Sequence, residues 1–447
     1  MKGSRPATIA TRTDPELAPQ VLKALERYRR AVNYLAAAAI YLKDNALMEE
    51  PLRPEHVKDR LLGHWGTAPG INLIYAHLNR LILETNAGIL LVTGPGHGAA
   101  ANLANMYLEG TITEFHPELT RDRAGLKRFL GRFSWPDGFP SHLNPGLPGV
   151  IHEGGELGYA LATAFGAALD NPDLVVACIV GDGEAETGPT AAAWHSTKFL
   201  NPATDGAVLP ILHLNGWKIA NPTLFATMTN EELTSLFSGY GWEPRLVDYG
   251  DRLDADFGAA LAWAYEGIRA LQAEARAGRR PERPCWPMIV LRTPKGFSGP
   301  REIEGHPIEG SFRSHQVPGK ELKTNPAQLA AVEKWLRSYR PQELFDQEGR
   351  PAADILALCP QGDRRMAMNP HSFGGRMRRP LSLPPLTAHA LPIPKRGTTR
   401  ASPVEELAKY VREVAVRNEA SRNFRVVCPD ELESNKLGLK PAAITSA

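Results

Sequence analysis

The sequence predicts an α/β protein: a parallel sheet flanked by helices, then a linker and the start of a second α/β domain. Three observations carry that expectation. Apolar runs rich in Val, Ile and Leu recur at 87–93, 174–180, 207–215 and 287–293, as strands of a parallel sheet do. Segments with helical character separate them, the order expected of βαβ units. Each run leads into a turn that sets polar or charged residues beside glycines.

Along the chain, residues 16–48 read as a helix, because Val21, Leu25, Tyr28, Val32 and Leu35 recur at helical spacing. Pro51–Arg60 opens another, GHWGTAPG at 63–70 breaks it, and Ile71–Asn86 is helical again. AGILLVTGPGHGAAANLANMYLEG, 87–110, is an apolar strand, a Gly-rich turn and an Ala-rich helix. Residues 131–155 are dense in Gly and Pro and can only be loop. Carrying Trp135, Phe139, His142 and His152, that loop is expected to be functional rather than disordered. A helix at 156–171, a strand at 174–180, a helix at 190–200 and a strand at 207–215 come next. A strand at 243–250, a helix at 253–278 and a strand at 287–293 complete the sheet, and 325–340 is a further helix.

Residues 364–400 hold eight Lys and Arg, no Asp or Glu, and five prolines between 380 and 394. This reads as an extended connector lying against another surface. Without interleaved aromatics its charge does not point to nucleic acid. A helix at 403–418 and a strand in FRVVCPDELESN begin something new. The expected domains are therefore 1–320, a helix plus Pro/Arg-rich connector over 321–402, and the start of a second domain over 403–447.

Bulk properties fit that plan. A chain of 447 residues suffices for two or three domains. A net charge of +2 gives no field that points to nucleic acid or a membrane. The four cysteines are scattered, which reads as reduced thiols in a cytoplasmic protein. MKGSRPATIATRTD lacks the apolar core of a signal peptide. The apolar stretch Ala31–Leu42 contains Asn33 and is too short to span a bilayer.

Ligands of open α/β sheets sit beyond the carboxyl ends of the strands. Those ends deliver TGPGHG with His97, GDGEAETG with Asp182 and two glutamates, NGWKIANPT after Asn215's strand, and PKGFSG with Lys295. The set suits an anionic ligand held partly by a metal. Asp182, the Asn215 side chain and a carbonyl near 217 could fill half of a Mg²⁺ shell, with phosphate oxygens and water completing it. Gly181 and Gly183 let the backbone approach a phosphate, and a following helix N-terminus favours anions. Alone, Gly-Asp-Gly is often a plain turn. Its company on neighbouring strand ends is what favours a site. His195 and His213, inside regular elements, read as structural. His64, His97, His142 and His315 lie in Gly-, Pro- and Ser-rich loops and are candidates for chemistry.

Gly-Asp-Gly, a helix and a strand ending in Asn resemble the thiamine diphosphate motif. GDGEAETGPTAAAWHSTKFLNP with HLNGWKIANPT resembles the phosphoketolases, as do LLGHWGTAPG, GPGHG, FPSHLNPGLPGVIHEGGELGYAL, RTPKGFSGP and EGSFRSHQVP. The resemblance covers nearly the entire chain. It implies the thiamine diphosphate-binding fold of transketolases, with thiamine diphosphate and Mg²⁺ as cofactors. It implies cleavage of xylulose 5-phosphate or fructose 6-phosphate with inorganic phosphate, giving acetyl phosphate and an aldose phosphate. It further implies that Asp182, Asn215 and the Trp217 carbonyl hold the metal, Trp standing where Tyr is usual. Gly155, Glu156, Asp182, Gly183, Glu184, Asn215 and Lys295 are implied at the cofactor. His64, His97, His142, His315 and Gln316 are implied along the substrate channel, where imidazoles suit proton transfer in both directions.

Phosphoketolases are nearly twice this long. Their second domain binds the aminopyrimidine ring and supplies the glutamate that activates it. Here that domain begins at FRVVCPDELESN and stops at KLGLKPAAITSA. The expectation is a chain inactive alone, with a separate chain carrying the missing half. The alternative is a non-catalytic fragment that at most binds the diphosphate–Mg²⁺ end. In its full-length form the family implies a homodimer. Sugar phosphate and inorganic phosphate are the expected small partners, with no nucleic acid and no membrane. HEGGELGYAL and GSFRSHQVP speak against a transketolase proper.

Overall fold

A parallel sheet needs apolar side chains on both faces and helices to cover them. The computed structural model, which describes residues 17–279, 283–428, 430–438 and 444–446, has that arrangement. Its main sheet contains β1 (Gly88–Thr93), β2 (Leu174–Gly181), β3 (Ala207–Leu214), β4 (Trp242–Val247) and β5 (Trp286–Arg292). They lie in the order β1-β2-β3-β5-β4, and every neighbouring pair is parallel. Val175–Val180 of β2, all of β3 and Trp286–Leu291 of β5 are buried, which is why these strands read as continuous apolar runs. The helix Ala160–Ala168 packs on β2 and β3, and Leu253–Arg276 packs on β4 and β5.

Helix boundaries depart from expectation where Pro and Gly act. The first helix is Pro19–Tyr41, shorter than 16–48 at both ends, with residue 16 outside the described residues. Every residue from Ala31 to Tyr41 is buried, the four alanines at 36–39 included. The helix expected from Pro51 is a single turn, Pro54–His56. Pro51 and Pro54 remove amides that a longer helix would use. The next helix starts at Ala68 rather than Ile71, because Pro69 falls in its first turn, where no amide is needed. Gly158, at φ 109°, delays the helix expected from 156 until Ala160. The helix expected at 190–200 is Gly188–Ala193 continued by the 3₁₀ stretch Trp194–Phe199. Helix Arg123–Arg132 is an addition to the expected elements. Its signal is Asp122, whose carboxylate accepts from the Gly125 amide at 2.8 Å as an N-cap.

The chain separates into two compact units, the first ending at Phe373 and the second starting at Gly374. The segment read as connector, 321–402, is divided between them. Helix Pro326–Ser338 belongs to the first unit, where Trp335 donates to the Ser298 carbonyl at 3.0 Å. Residues Met366–Asn369 are buried there, and the Asn369 amide donates to the Ile89 carbonyl of the edge strand β1 at 3.0 Å. That contact covers an edge otherwise open to pairing. In the second unit, helix Pro403–Arg417 is accompanied by Val426–Cys428, which pairs in parallel with Ile444–Ser446. Residues 439–443 and 447 of the tail lie outside the described residues. All four cysteines are free. Among the described residues no helix is long and apolar enough to cross a membrane.

A buried polar network ties the first helices together. Asn72 donates to Asn33 at 2.8 Å, Asn105 donates to Asn72 at 2.7 Å, and Tyr28 donates to Asn105 at 3.0 Å. Beside it, Glu109 accepts from the Tyr75 hydroxyl at 2.9 Å and the Thr111 hydroxyl at 2.6 Å. Burial still pushes its pKa from 4.5 up to about 7. A raised folded pKa stabilises the fold below the unfolded value, and that contribution is lost as pH rises through the folded value. Glu109→Gln should remove this loss. Urea denaturation at about pH 5 and about pH 8 should find the variant gaining about 3 kcal/mol on the parent between them. An equal gap at both pH values would mean the carboxylate is not desolvated.

Candidate functional site

Because the strands are parallel, β1, β2, β3 and β5 release their turns on one side of the sheet. A cavity of about 370 Å³ opens between those turns. Pro95 and His97 line it after β1, Gly181–Glu184 at the end of β2, Asn215 and Trp217–Ile219 after β3, and Lys295 after β5. His64, Thr67, His142, Gly154, Gly155, Leu157, His315 and Gln316 complete the lining from loops. The structure thus brings together His64, His97, His142, His315, Gln316, Gly155, Asp182, Gly183, Glu184, Asn215, Trp217 and Lys295. It leaves Glu156 exposed and outside the lining.

Asp182 starts a short helix, Asp182–Ala185, directly after β2, and is 2% exposed. One carboxylate oxygen accepts from the Gly216 amide at 2.7 Å and the Thr223 hydroxyl at 3.1 Å, the other from the Gly183 amide at 3.1 Å. Burial nonetheless pushes its pKa up to about 6. Asn215 accepts from the Trp217 amide at 3.2 Å. Lys295 is also buried, and its ammonium donates to the Trp217 and Lys218 carbonyls, each at 2.7 Å. Burial lowers its pKa to about 8. The three acids of the turn therefore divide their work. Asp182 holds the loop after β3 from below. Glu184 folds back to accept from the Gly181 amide at 3.2 Å, with burial raising it to about 7. Glu186 pairs with Lys218 at 2.5 Å and accepts from the Leu224 amide.

The four loop histidines form one cluster. The His64 ring centroid lies 5.1 Å from those of His97 and His142 and 5.2 Å from that of His315. Burial, then neighbouring cationic forms, drive His64 down to about 4 and His315 to about 3 and lower His97 as well, while burial alone lowers His142, against the pull of Glu153. All four are neutral imidazoles at neutral pH, able to accept a proton at one nitrogen and donate at the other. The Nδ1 atoms of His64 and His315 are buried without a partner. His195 lies outside the cavity, its ring 4.6 Å from that of Tyr240. His213 lies beneath the cavity on β3, its Nε2 2.9 Å from the Thr293 hydroxyl. Among the described residues no three His, Cys, Asp or Glu converge as a metal cluster. A hard cation would have to rely on Asp182, the Asn215 amide and carbonyl oxygens.

The residues that sequence reasoning left unselected are Thr67, Pro95, Gly154, Leu157, Lys218 and Ile219. Each falls within a motif already singled out, but nothing in residue type separates the lining positions from their neighbours. Glycine is the clearest unused signal. A Cβ on Gly94 would collide with Glu184, and one on Gly96 with the backbone of Gly154. On Gly183 a Cβ would meet the flexible Lys218 side chain at 3.3 Å and the Thr223 methyl at an ordinary 3.9 Å. Gly96→Ala should therefore cost about 1–3 kcal/mol by overpacking, while Gly183→Ala should stay within about 0.5 kcal/mol. Chemical denaturation of both variants checks this, and equal losses would contradict the close approach at Gly96.

The fold and the clustered site define an α/β enzyme-like core with a cofactor-sized cavity at its strand ends. Residues 16–377 match the XFP N-terminal domain, and residues 405–443 match D-xylulose 5-phosphate/D-fructose 6-phosphate phosphoketolase. The chain belongs to the phosphoketolase family. It is 56% identical over 423 residues to a probable phosphoketolase of Synechococcus elongatus, covering 94% of this chain and 53% of that protein. It is 54% identical over 422 residues to one from Bradyrhizobium diazoefficiens, covering 93% and 52%. The chain thus spans about half the length of the curated relatives it matches. In fold it is similar to a mutant transketolase of Pichia stipitis, with a TM-score of 0.56 and 17% identity over 95% of this chain and 57% of that one. A transketolase from Campylobacter jejuni gives 0.56 and 16% identity over 96% and 61%.

Proposed function

We propose that the whole protein cleaves a ketose phosphate, xylulose 5-phosphate or fructose 6-phosphate, with inorganic phosphate, yielding acetyl phosphate, an aldose phosphate and water. In this reading it is a cytoplasmic aldehyde-lyase of pentose phosphate metabolism that uses thiamine diphosphate and Mg²⁺. The observation that carries the reading is the convergence of Asp182, Asn215, Lys295 and four neutral histidines on one cavity.

The residues fit the cofactor's charged end. The Lys295 ammonium already rests on the Trp217 and Lys218 carbonyls, so those oxygens accommodate a cation. Asp182 keeps a desolvated carboxylate beside them, and a Cβ on Gly181 would meet nothing nearer than 3.6 Å, which leaves that turn open to a ligand. Asp182, Asn215 and the Trp217 carbonyl would hold Mg²⁺, with Gly155, Gly183, Glu184 and Lys295 toward the diphosphate. When bound, thiamine diphosphate supplies the nucleophile and the electron sink for breaking a carbon–carbon bond beside a ketone. His64, His97, His142 and His315 would move hydroxyl protons of the sugar, since each is neutral and can act in either direction. Gln316 would orient the sugar by hydrogen bonds.

Calorimetry tests the binding half of this reading on the chain itself. Thiamine diphosphate should bind only with Mg²⁺ present. Asp182→Ala should weaken that binding more than about 100-fold, beyond the loss seen for a mere outer-shell partner. Binding that ignores Mg²⁺, or survives the substitution in a folded variant, overturns the assignment. The reaction half is tested by trapping acetyl phosphate with hydroxylamine from fructose 6-phosphate and phosphate. Turnover by this chain without added protein would refute the expectation that a separate half is needed.

A further inference from the structure

A second cavity, of about 20 Å³, is lined by Thr93 at the end of β1, Asn102, Leu143 and His152 among others. Space of that size suits one water, which needs roughly 10–15 Å³ and two to four polar partners. Two buried atoms of the lining residues lack any partner: Asn102 Oδ1 and His152 Nδ1.

Both atoms are acceptors. The Asn102 amide nitrogen donates to the Thr93 hydroxyl at 3.0 Å, which leaves its oxygen unserved. His152 Nε2 lies 3.0 Å from the Thr93 carbonyl. A carbonyl can only accept, so Nε2 carries the proton. Burial holds the ring below its ordinary pKa, so Nδ1 is a bare lone pair. Two buried acceptors without donors are costly. One water, with two protons, serves both.

We propose that this cavity holds one resident water that donates to His152 Nδ1 and to Asn102 Oδ1. The Thr93 hydroxyl has a proton to give it in return. The water closes a hydrogen-bonded ring that runs from Thr93 through Asn102, the water and His152 back to Thr93. The ring fastens the segment 142–155 to the end of β1. That segment is doubled on itself by the Gly154 amide donating to the Leu143 carbonyl, and tied to the turn after β1 by the Leu143 amide donating to the Gly96 carbonyl, each at 2.9 Å. His142 and Gly155, which face the large cavity, sit at its two ends. The water therefore helps set where both are presented, without touching anything bound there.

A crystal structure of the full chain at about 1.5 Å decides the site, since bound water of this kind is ordered. One isolated peak within hydrogen-bond distance of both atoms is expected. A dry cavity, or a peak that reaches only one of them, overturns the proposal. Asn102→Leu removes one acceptor and fills the space. In that variant the Gly154 amide should exchange with solvent about tenfold faster, while amides of β3 are unchanged. Unaltered exchange at Gly154 overturns the anchoring role even if the water is there. If the variant fails to fold, the map of the parent protein still decides.

Discussion

Asp182 is the group on which the cavity depends. The fold carries a carboxylate to the end of an interior strand, away from water, where an ionised group is expensive. Donors from two directions answer it: its own turn through Gly183, and the loop after β3 through Gly216 and Thr223. Those bonds determine the course of residues 215–223, and with it the positions of Asn215 and the Trp217 carbonyl. They do not fully offset burial, because the carboxylate still sits at about 6. The negative charge left over is what the turn offers a cation. Lys295 is strained in the opposite sense, held at about 8 on two carbonyls rather than on Asp182 itself. Two buried charges of opposite sign that do not neutralise each other directly make a poor structural ion pair. Each keeps a charge that the other does not answer directly.

The same desolvation sets the state of the histidines. His64 is at the centre of its cluster, and every protonated neighbour would disfavour the next. Lys295 adds to that repulsion at His64, His97 and His315. The result is four imidazoles that stay neutral where free histidine would be partly charged. A cluster of neutral rings has no fixed charge to trap an anionic sugar phosphate, yet each ring keeps one donor and one acceptor.

The strands of the main sheet are legible in the sequence because burial on both faces writes an unambiguous apolar run, and Val175–Val180 has no polar interruption. Helix ends are less legible, since they turn on single residues such as Pro69 and Gly158, whose effect depends on one dihedral angle. The division at Phe373 is not legible at all. Residues 364–373 share their basic, Pro-containing texture with residues 374–400, yet Asn369 pairs with the edge strand and Arg365 with Glu114. Composition cannot report a partner that lies hundreds of residues away. At the site, the loop histidines and the Gly-Asp-Gly turn stand out by residue type and by their place at strand ends. Glu156 shares a motif with Gly155, but Gly158 adopts a left-handed backbone two residues on and the glutamate is left exposed. His152 stands out for its loop but not for any role there, because its Thr93 contact is to a backbone carbonyl and leaves no trace in sequence.

Backbone contact holds several of these loops together alongside the side-chain bonds of Asp182 and Lys295. Gly96 approaches Gly154 so closely that neither tolerates a Cβ, and the Gly296 amide donates to the Gly66 carbonyl at 2.7 Å. A Cβ on Gly66 would stand 2.8 Å from the Lys295 side chain. Main-chain contacts of this kind leave few rotamers to choose among, so the groups they carry are placed with little freedom. That explains why the lining is assembled from short glycine-bearing turns instead of long flexible side chains. It also explains how a site drawn from so many separate segments can exist within the first compact unit: several of those segments are pinned by main-chain bonds, and the loop after β3 by the Asp182 and Lys295 side chains.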